Sequence, residues 1–172
     1  MNYQVASSLL HHLDQGVWDI GHAPDDVQQI FESWSLPVGL CRLLQWSWPQ
    51  EDWGIGPIDM LSALRIGTQT GMEELLAAKF LLIGDAPNGD MFVIDFSVDA
   101  CPVGFITHEE YDKRSNPRQF FCPAARSIAS LLYRATEDRY IPCDYYEASA
   151  FNQFLRDEAV HHTYPPYERK DG

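Results

Sequence analysis

Four stretches of the chain bring together residue types that could do chemistry. His108-Glu109-Glu110-Tyr111 begins like a zinc-protease helix, where two histidines on one helix face hold the metal and the glutamate acts as base. The second histidine should stand at position 112, which is Asp112. The segment also follows a strand-like run. It reads as a strand-end turn whose carboxylates Glu109, Glu110 and Asp112 face solvent, where they could meet a basic partner. Gly84-Asp85-Ala86-Pro87-Asn88-Gly89-Asp90 mixes glycines with carboxylates. A calcium loop needs oxygen ligands at alternating positions, which Ala86, Pro87 and Met91 interrupt. A phosphate loop needs Gly-Lys-Ser/Thr, which does not follow. The stretch reads as a hairpin turn across which Asp85 and Asp90 could approach, without a pocket to support acid–base work. His11-His12 and His161-His162 are adjacent pairs. Helical neighbours point about 100° apart and do not readily share an ion, so each pair reads as one buried-edge and one exposed histidine.

Nothing else in the chain suggests a nucleophile. There is no Gly-x-Ser-x-Gly elbow. Cys41, Cys101, Cys122 and Cys143 include no Cys-x-x-Cys pair, so a zinc ribbon is not indicated and reduced, mostly buried thiols are expected. No metal or cofactor is implied.

The elements that must position these residues follow from hydrophobic pattern. Phe80–Gly84, Met91–Phe96 and Pro102–Thr107 have the β-branched and aromatic content of strands, and Asn88-Gly89 between the first two is a strong hairpin signal. Val5, Leu9, Leu10 and Leu13 recur at helical spacing. Ala23-Pro24-Asp25-Asp26 opens a second helix with the stripe Val27, Ile30, Phe31 and Trp34. Ser35-Leu36-Pro37 ends it and starts a third, capped near Ser35 or Leu36, with Leu40, Leu43, Leu44 and Trp46 on its buried side. Residues 47–56 read as a loop holding Trp48 and Trp53. Such tryptophans either tuck back onto the core, the expectation here, or face a partner. Pro57–Leu64 is extended or begins a helix, and Met72–Lys79 is a short helical turn. Phe121-Cys122-Pro123 leads into a helix with Ala125, Ile128, Ala129, Leu131 and Leu132 inward. Tyr140-Ile141-Pro142 reads as extended. Glu147–Ala159 forms a last helix on Phe151, Phe154 and Leu155, and residues 161–172 form an irregular tail. The whole is one domain over residues 1–160.

Composition narrows the class of function. The chain has 172 residues, 45% of them hydrophobic and 13% aromatic, enough for a sizeable core. Its net charge of −13 disfavours nucleic acid and anionic membrane and suits a basic partner. The charge is uneven: residues 1–100 hold 14 acids and 3 bases, residues 101–172 hold 11 acids and 9 bases. No run of 18 apolar residues would span a bilayer, and the first residues lack the basic and apolar regions of a signal peptide, so a cytoplasmic location is the expectation.

The order of motifs resembles the SUKH superfamily over residues 25–135. The resemblance rests on Leu36-Pro37-Val38-Gly39-Leu40-Cys41-Arg42-Leu43-Leu44, a Trp/Gly loop, and a strand ending in Ile83-Gly84-Asp85. The turn Asn88-Gly89-Asp90, the strand Phe92-Val93-Ile94-Asp95, Pro102-Val103 and a helix at Ala124–Leu132 follow. Where many members carry Asn-Gly-Gly after the Leu-Pro helix, this chain has Gln45-Trp46-Ser47-Trp48-Pro49. The resemblance implies an α+β fold, with helices packed on a largely antiparallel sheet around a central hairpin. It also implies a non-enzymatic binding role. Bacterial members are often immunity proteins that neutralise toxins, commonly nucleases, and fungal members regulate cell-wall synthesis and signalling. On this reading the partner is a basic toxin domain. The candidate contact residues are Glu51, Asp52, Trp53, Asp59, Glu109, Glu110 and Asp112. The alternatives are a regulatory scaffold of the same fold that binds a host protein, and a small hydrolase with an unrecognised site.

Overall fold

The computed structural model describes residues 3–109, 111 and 116–152. The fold is α+β, with helices packed on an antiparallel sheet. Helix α1 (Tyr3–Asp14) buries Ala6 and Leu10, leaves Leu9 and Leu13 half-buried, and turns Val5, His11 and His12 outward. Both histidines of that pair are therefore exposed, because the buried stripe runs through positions 6 and 10. Helix α2 (Asp25–Ser33) follows Pro24, carries Asp25 and Asp26 in its first turn and buries Val27 and Phe31. Acids there suit the positive end of the helix dipole. Helix α3 (Val38–Trp46) has Pro37 at its cap position and buries Leu40, Leu43, Leu44 and Gln45. Trp46 is not on the buried side: it is 51% exposed and packs edge-on against His22, with ring centroids 4.5 Å apart.

Residues 47–56 are more ordered than a loop reading allows. A two-residue strand β1 (Ile20–Gly21) pairs with β2 (Trp48–Pro49). A hairpin of β3 (Trp53–Ile55) and β4 (Ile58–Met60) starts the main sheet. Its alternation is strict: Trp53, Ile55, Ile58 and Met60 are buried, Gly54 and Asp59 exposed. Gly56 and Pro57 form the two-residue connection, and Gly56 has φ +58°, the left-handed backbone that primed hairpin turns require. Pro57–Leu64 holds both predicted alternatives in succession, since β4 is followed by helix α4 (Ala63–Gly67), capped by Ser62 Oγ, which accepts from Arg65 N.

Helix α5 (Glu73–Ala77) leads into the centre of the sheet. Strands β5 (Phe80–Asp85), β6 (Met91–Asp95) and β7 (Val103–Ile106) occupy the three runs anticipated from sequence. They are buried almost throughout because both sheet faces are covered there. A 3-10 turn (Pro117–Phe120) and edge strand β8 (Phe121–Ala125) follow. The helix expected from residue 124 onward starts later, as α6 (Ile128–Thr136) with Ser127 as its cap. Ala124 and Ala125 belong to β8, which tolerates Pro123 because an edge strand can spare one donor. No strand forms over residues 140–142, and a helix runs over residues 145–152. The rest of the predicted last helix, including Phe154 and Leu155, and the tail with His161 and His162 lie outside the described residues.

The strands follow sequence order, β3-β4-β5-β6-β7-β8, all antiparallel. One face carries Trp53, Ile58, Met60, Leu81, Phe92, Ile94 and Phe105, which join the buried helix residues in one continuous core. The opposite face divides in two. Towards β6–β8 it holds buried Phe80, Leu82, Val93 and Ile106, with Phe121 packed 5.0 Å from Phe80. Towards β3–β4 it is open and carries Gly54, Asp59 and Asp85. No described helix is long and apolar enough to cross a membrane.

Candidate partner-binding surface

The open part of the sheet collects carboxylates. Register sets Asp59 on β4 directly opposite Asp85 on β5. Like charges placed opposite each other on a sheet repel. Asp52 precedes β3 and is paired with Arg65 of α4 at 2.6 Å, both side chains largely exposed. Partial desolvation at the sheet surface pushes the Asp85 carboxyl above its ordinary value; Arg65 pulls it back and Asp59 adds to the rise. Glu51 is exposed next to Asp52. Gln50 N donates to Asp19 O at 2.7 Å, which holds the backbone of residue 19 beside residue 50. Arg65 thus sits among several exposed acids, a surface that attracts cations. Among the described residues no group of three His, Cys, Asp or Glu is arranged to hold a metal ion.

A second set of carboxylates faces inward. Asp90, fully buried at the end of the β5–β6 turn, accepts from His108 N, Tyr145 N and Asn88 Nδ2, each at 3.0 Å, and lies 2.9 Å from His108 Nδ1. It therefore ties the hairpin turn to the end of β7 and to the start of the helix at 145–152. Burial works to raise its pKa, but these hydrogen bonds outweigh burial and hold the carboxyl below its ordinary value. Asp95 at the end of β6 is clamped by both terminal nitrogens of Arg118, each at 2.9 Å, and accepts from Ser97 N. Burial raises it and the Arg118 and Ser97 hydrogen bonds win, so it too is held low. The Arg118 guanidinium lies 4.7 Å over the Phe80 ring and donates to Ala78 O, which fastens the 3-10 turn over the sheet.

A further group of titratable side chains, around residues 140–147, is built into structure in the same way. Asp144 Oδ1 accepts from Glu147 N, and Glu147 Oε2 accepts from Cys143 N and the Tyr140 hydroxyl. This is a cap for the helix at 145–152. Burial, then Glu147, push the Tyr140 hydroxyl up to about 12 and the Cys143 thiol up to about 11. Burial also raises Cys101 and Cys41. Cys101 is buried and Cys41, Cys122 and Cys143 are half-buried. The three raised thiols are held protonated, the reverse of an activated nucleophile.

Clefts border this framework among the described residues. One of about 560 Å³ lies between β8 and the helix at 145–152, lined by Phe121, Cys122, Tyr145 and Ser149 among others. Another, about 330 Å³, lies under the β3–β4 hairpin between Trp18, Ile55 and Arg139.

The sequence-derived contact residues fall into four groups. Glu51, Asp52 and Asp59 are exposed on or beside the β3–β5 surface. Glu109 follows β7 at the same end of the sheet as Asp59 and Asp85, with β4 and β7 three strand spacings apart, roughly 14 Å. It accepts from the Tyr146 hydroxyl at 2.5 Å. Trp53 must be withdrawn as a contact residue, being only 6% exposed and packed edge-on between Trp18 and Trp48. The alternation of Trp-Gly-Ile-Gly-Pro-Ile-Asp-Met was the signal that would have turned its ring inward. Glu110 and Asp112 lie outside the described residues. Asp85 and Asp90 are not a carboxylate pair across the hairpin, since Asp90 points into its own hydrogen-bond set and Asp85 faces Asp59. Sequence reasoning missed Asp85 and Arg65 as members of the surface, because strand register put them there. No family model, curated protein or solved structure matches the chain.

Proposed function

We propose that this chain is a non-enzymatic protein-binding module of the SUKH type, acting in the cytoplasm as an immunity protein against a basic toxin domain. The observation that carries the reading is the unequal use of carboxylates. Asp90 and Asp95 are consumed by internal hydrogen bonds, whereas Glu51 is exposed and the exposed Asp59 and Asp85 are held opposite each other despite mutual repulsion. A surface of that kind suits a cationic partner, steering its approach and pairing with its lysines and arginines. A nuclease domain with a basic, phosphate-gripping cleft has the complementary charge.

The test is capture of proteins from a lysate of the source strain on the wild-type chain and on the triple variant Asp52→Lys, Asp59→Lys, Asp85→Lys. The reading expects one basic toxin-like protein on the wild type, released by moderate salt and missing from the variant. It also expects co-expression of the wild type, and not the variant, to protect cells from that protein. Equal capture by both chains contradicts the proposed face, and capture without protection contradicts the immunity role.

A further inference from the structure

The histidine that closes the Asp90 network has one ring nitrogen left over. The buried Asp90 carboxylate meets only donors: His108 N and Nδ1 at one oxygen, Tyr145 N and Asn88 Nδ2 at the other. An ionised carboxylate accepts and cannot donate, so the proton between the two side chains sits on Nδ1. In the neutral ring this leaves Nε2 as a bare acceptor. The ring opens outward: its side chain is 43% exposed, while that of Asp90 is wholly covered. A Cβ on Gly89 would meet Cγ and Nδ1 of the ring at 3.8 Å, so the turn lies against its inner edge. Among the described residues no hydrogen bond reaches Nε2. The turn, the end of β7 and the start of the helix at 145–152 hold the ring together, which fixes the direction of Nε2 before anything binds.

The surroundings are acidic. Glu109 follows on the chain, its carboxylate accepting from the Tyr146 hydroxyl at 2.5 Å. Asp59, Asp85, Met91 and Ile106 stand in one cross-strand row, and His108 lies two residues beyond Ile106. Strands β5 and β7 are two spacings apart, roughly 10 Å. An extended segment of four residues spans about 13 Å, enough to reach from the Asp85 row to His108.

We infer that His108 Nε2 is a contact of the partner interface: it accepts a hydrogen bond from a lysine or arginine N–H of the partner, beside the acidic face. The inference rests on the protein-binding reading above and adds a point that reads donors rather than charge. An exposed carboxylate attracts any cation. A neutral acceptor fixed in direction takes only a group that carries a proton to donate, and an ionised carboxylate of a partner has none. Glu109 and the Asp59–Asp85 row select a cationic donor over a neutral one.

The probe is the peptide acetyl-Lys-Lys-Lys-Lys-amide, titrated into the isotope-labelled full chain and followed by NMR at about pH 8, above the ordinary histidine range. The control is the same peptide with every lysine Nζ trimethylated, which keeps the charge and removes the side-chain donors. The imidazole nitrogen shifts of the free chain should place the proton of His108 on Nδ1. The lysine peptide should move the Nε2 resonance saturably; the trimethylated peptide should leave it in place and bind about fivefold more weakly. His108→Asn separates contact from structure, because the asparagine amide nitrogen still donates to Asp90 while nothing replaces Nε2. That variant should melt with the wild type and bind the lysine peptide about fivefold more weakly. Should it fail to fold, the two-peptide comparison on the wild type decides alone. A proton on Nε2, equal effects of both peptides at His108, or wild-type binding by His108→Asn would overturn the contact. Shifts confined to Asp59 and Asp85 would overturn it and leave the acidic face standing. No saturable shift with either peptide also overturns it, and the protein-binding reading itself falls only if lysate capture is blank as well.

Discussion

Two regions of one sheet treat the same functional group in opposite ways. Flanking β6, Asp90 and Asp95 are buried, hydrogen-bonded and held below the ordinary carboxylate range. On the open surface of β4 and β5, Asp59 and Asp85 face each other, and Asp85 is pushed above that range. The first pair closes the structure: Asp90 joins a turn, a strand end and a helix start, and Asp95 fastens the 3-10 turn through Arg118. The second pair opposes folding slightly through its cross-strand repulsion. On the proposed reading, these exposed carboxylates are the ones available to a partner.

Removing Asp90 should have the largest effect. Asp90→Ala leaves the Tyr145 and His108 donors without a buried acceptor, at a cost of about 3 kcal/mol in denaturant unfolding. A loss under 1 kcal/mol would show that Asp90 is no more structural than Asp59. Next comes the turn that presents Asp90. Gly89 has φ +91°, and Asn88 Oδ1 accepts from Asp90 N. Asn88→Ala with Gly89→Ala should therefore cost roughly 2 kcal/mol, read as a lower midpoint at unchanged m-value.

Acid separates the two regions by sign. The unfolded chain titrates its aspartates near pH 3.9, whereas folded Asp90 and Asp95 titrate lower. Their contribution is whole above about pH 5 and is lost as pH falls through the folded values. Asp85, raised when folded, has the opposite sign: its contribution is present below the unfolded value and is lost as pH rises through the folded one. Replacing Asp85 by Asn should therefore steepen acid unfolding, and replacing Asp95 by Asn should flatten it, in pH-dependent melting. The smallest effect is a gain. Asp59→Asn relieves the cross-strand repulsion and should raise stability by about 0.5 kcal/mol while weakening a basic partner.

What could be read from sequence follows the same division. Strands β5, β6 and β7 were visible because burial on both faces writes them as continuous apolar runs. Strands β3 and β4 were not, since three-residue strands rich in Trp, Gly and Pro look like loop, although their alternation was present. Strand β8 was absorbed into the following helix because Ala124 and Ala125 are good helix formers and Pro123 argues against a strand. Asp59 and Asp52 were chosen as candidates from charge alone, and the structure shows both exposed. Asp85 could not be placed with them, because its neighbour is set by the register between β4 and β5, and Trp53 was misplaced for want of that same hairpin.

The central claim is that the open carboxylates at the β3–β5 end make the partner contact. The most direct measurement is calorimetric titration of the captured partner into the wild-type chain and the Asp52→Lys, Asp59→Lys, Asp85→Lys variant, at two salt concentrations. The account predicts a folded variant that binds at least a hundredfold more weakly, with most of the salt dependence gone. Unchanged affinity and unchanged salt dependence in a folded variant would contradict it.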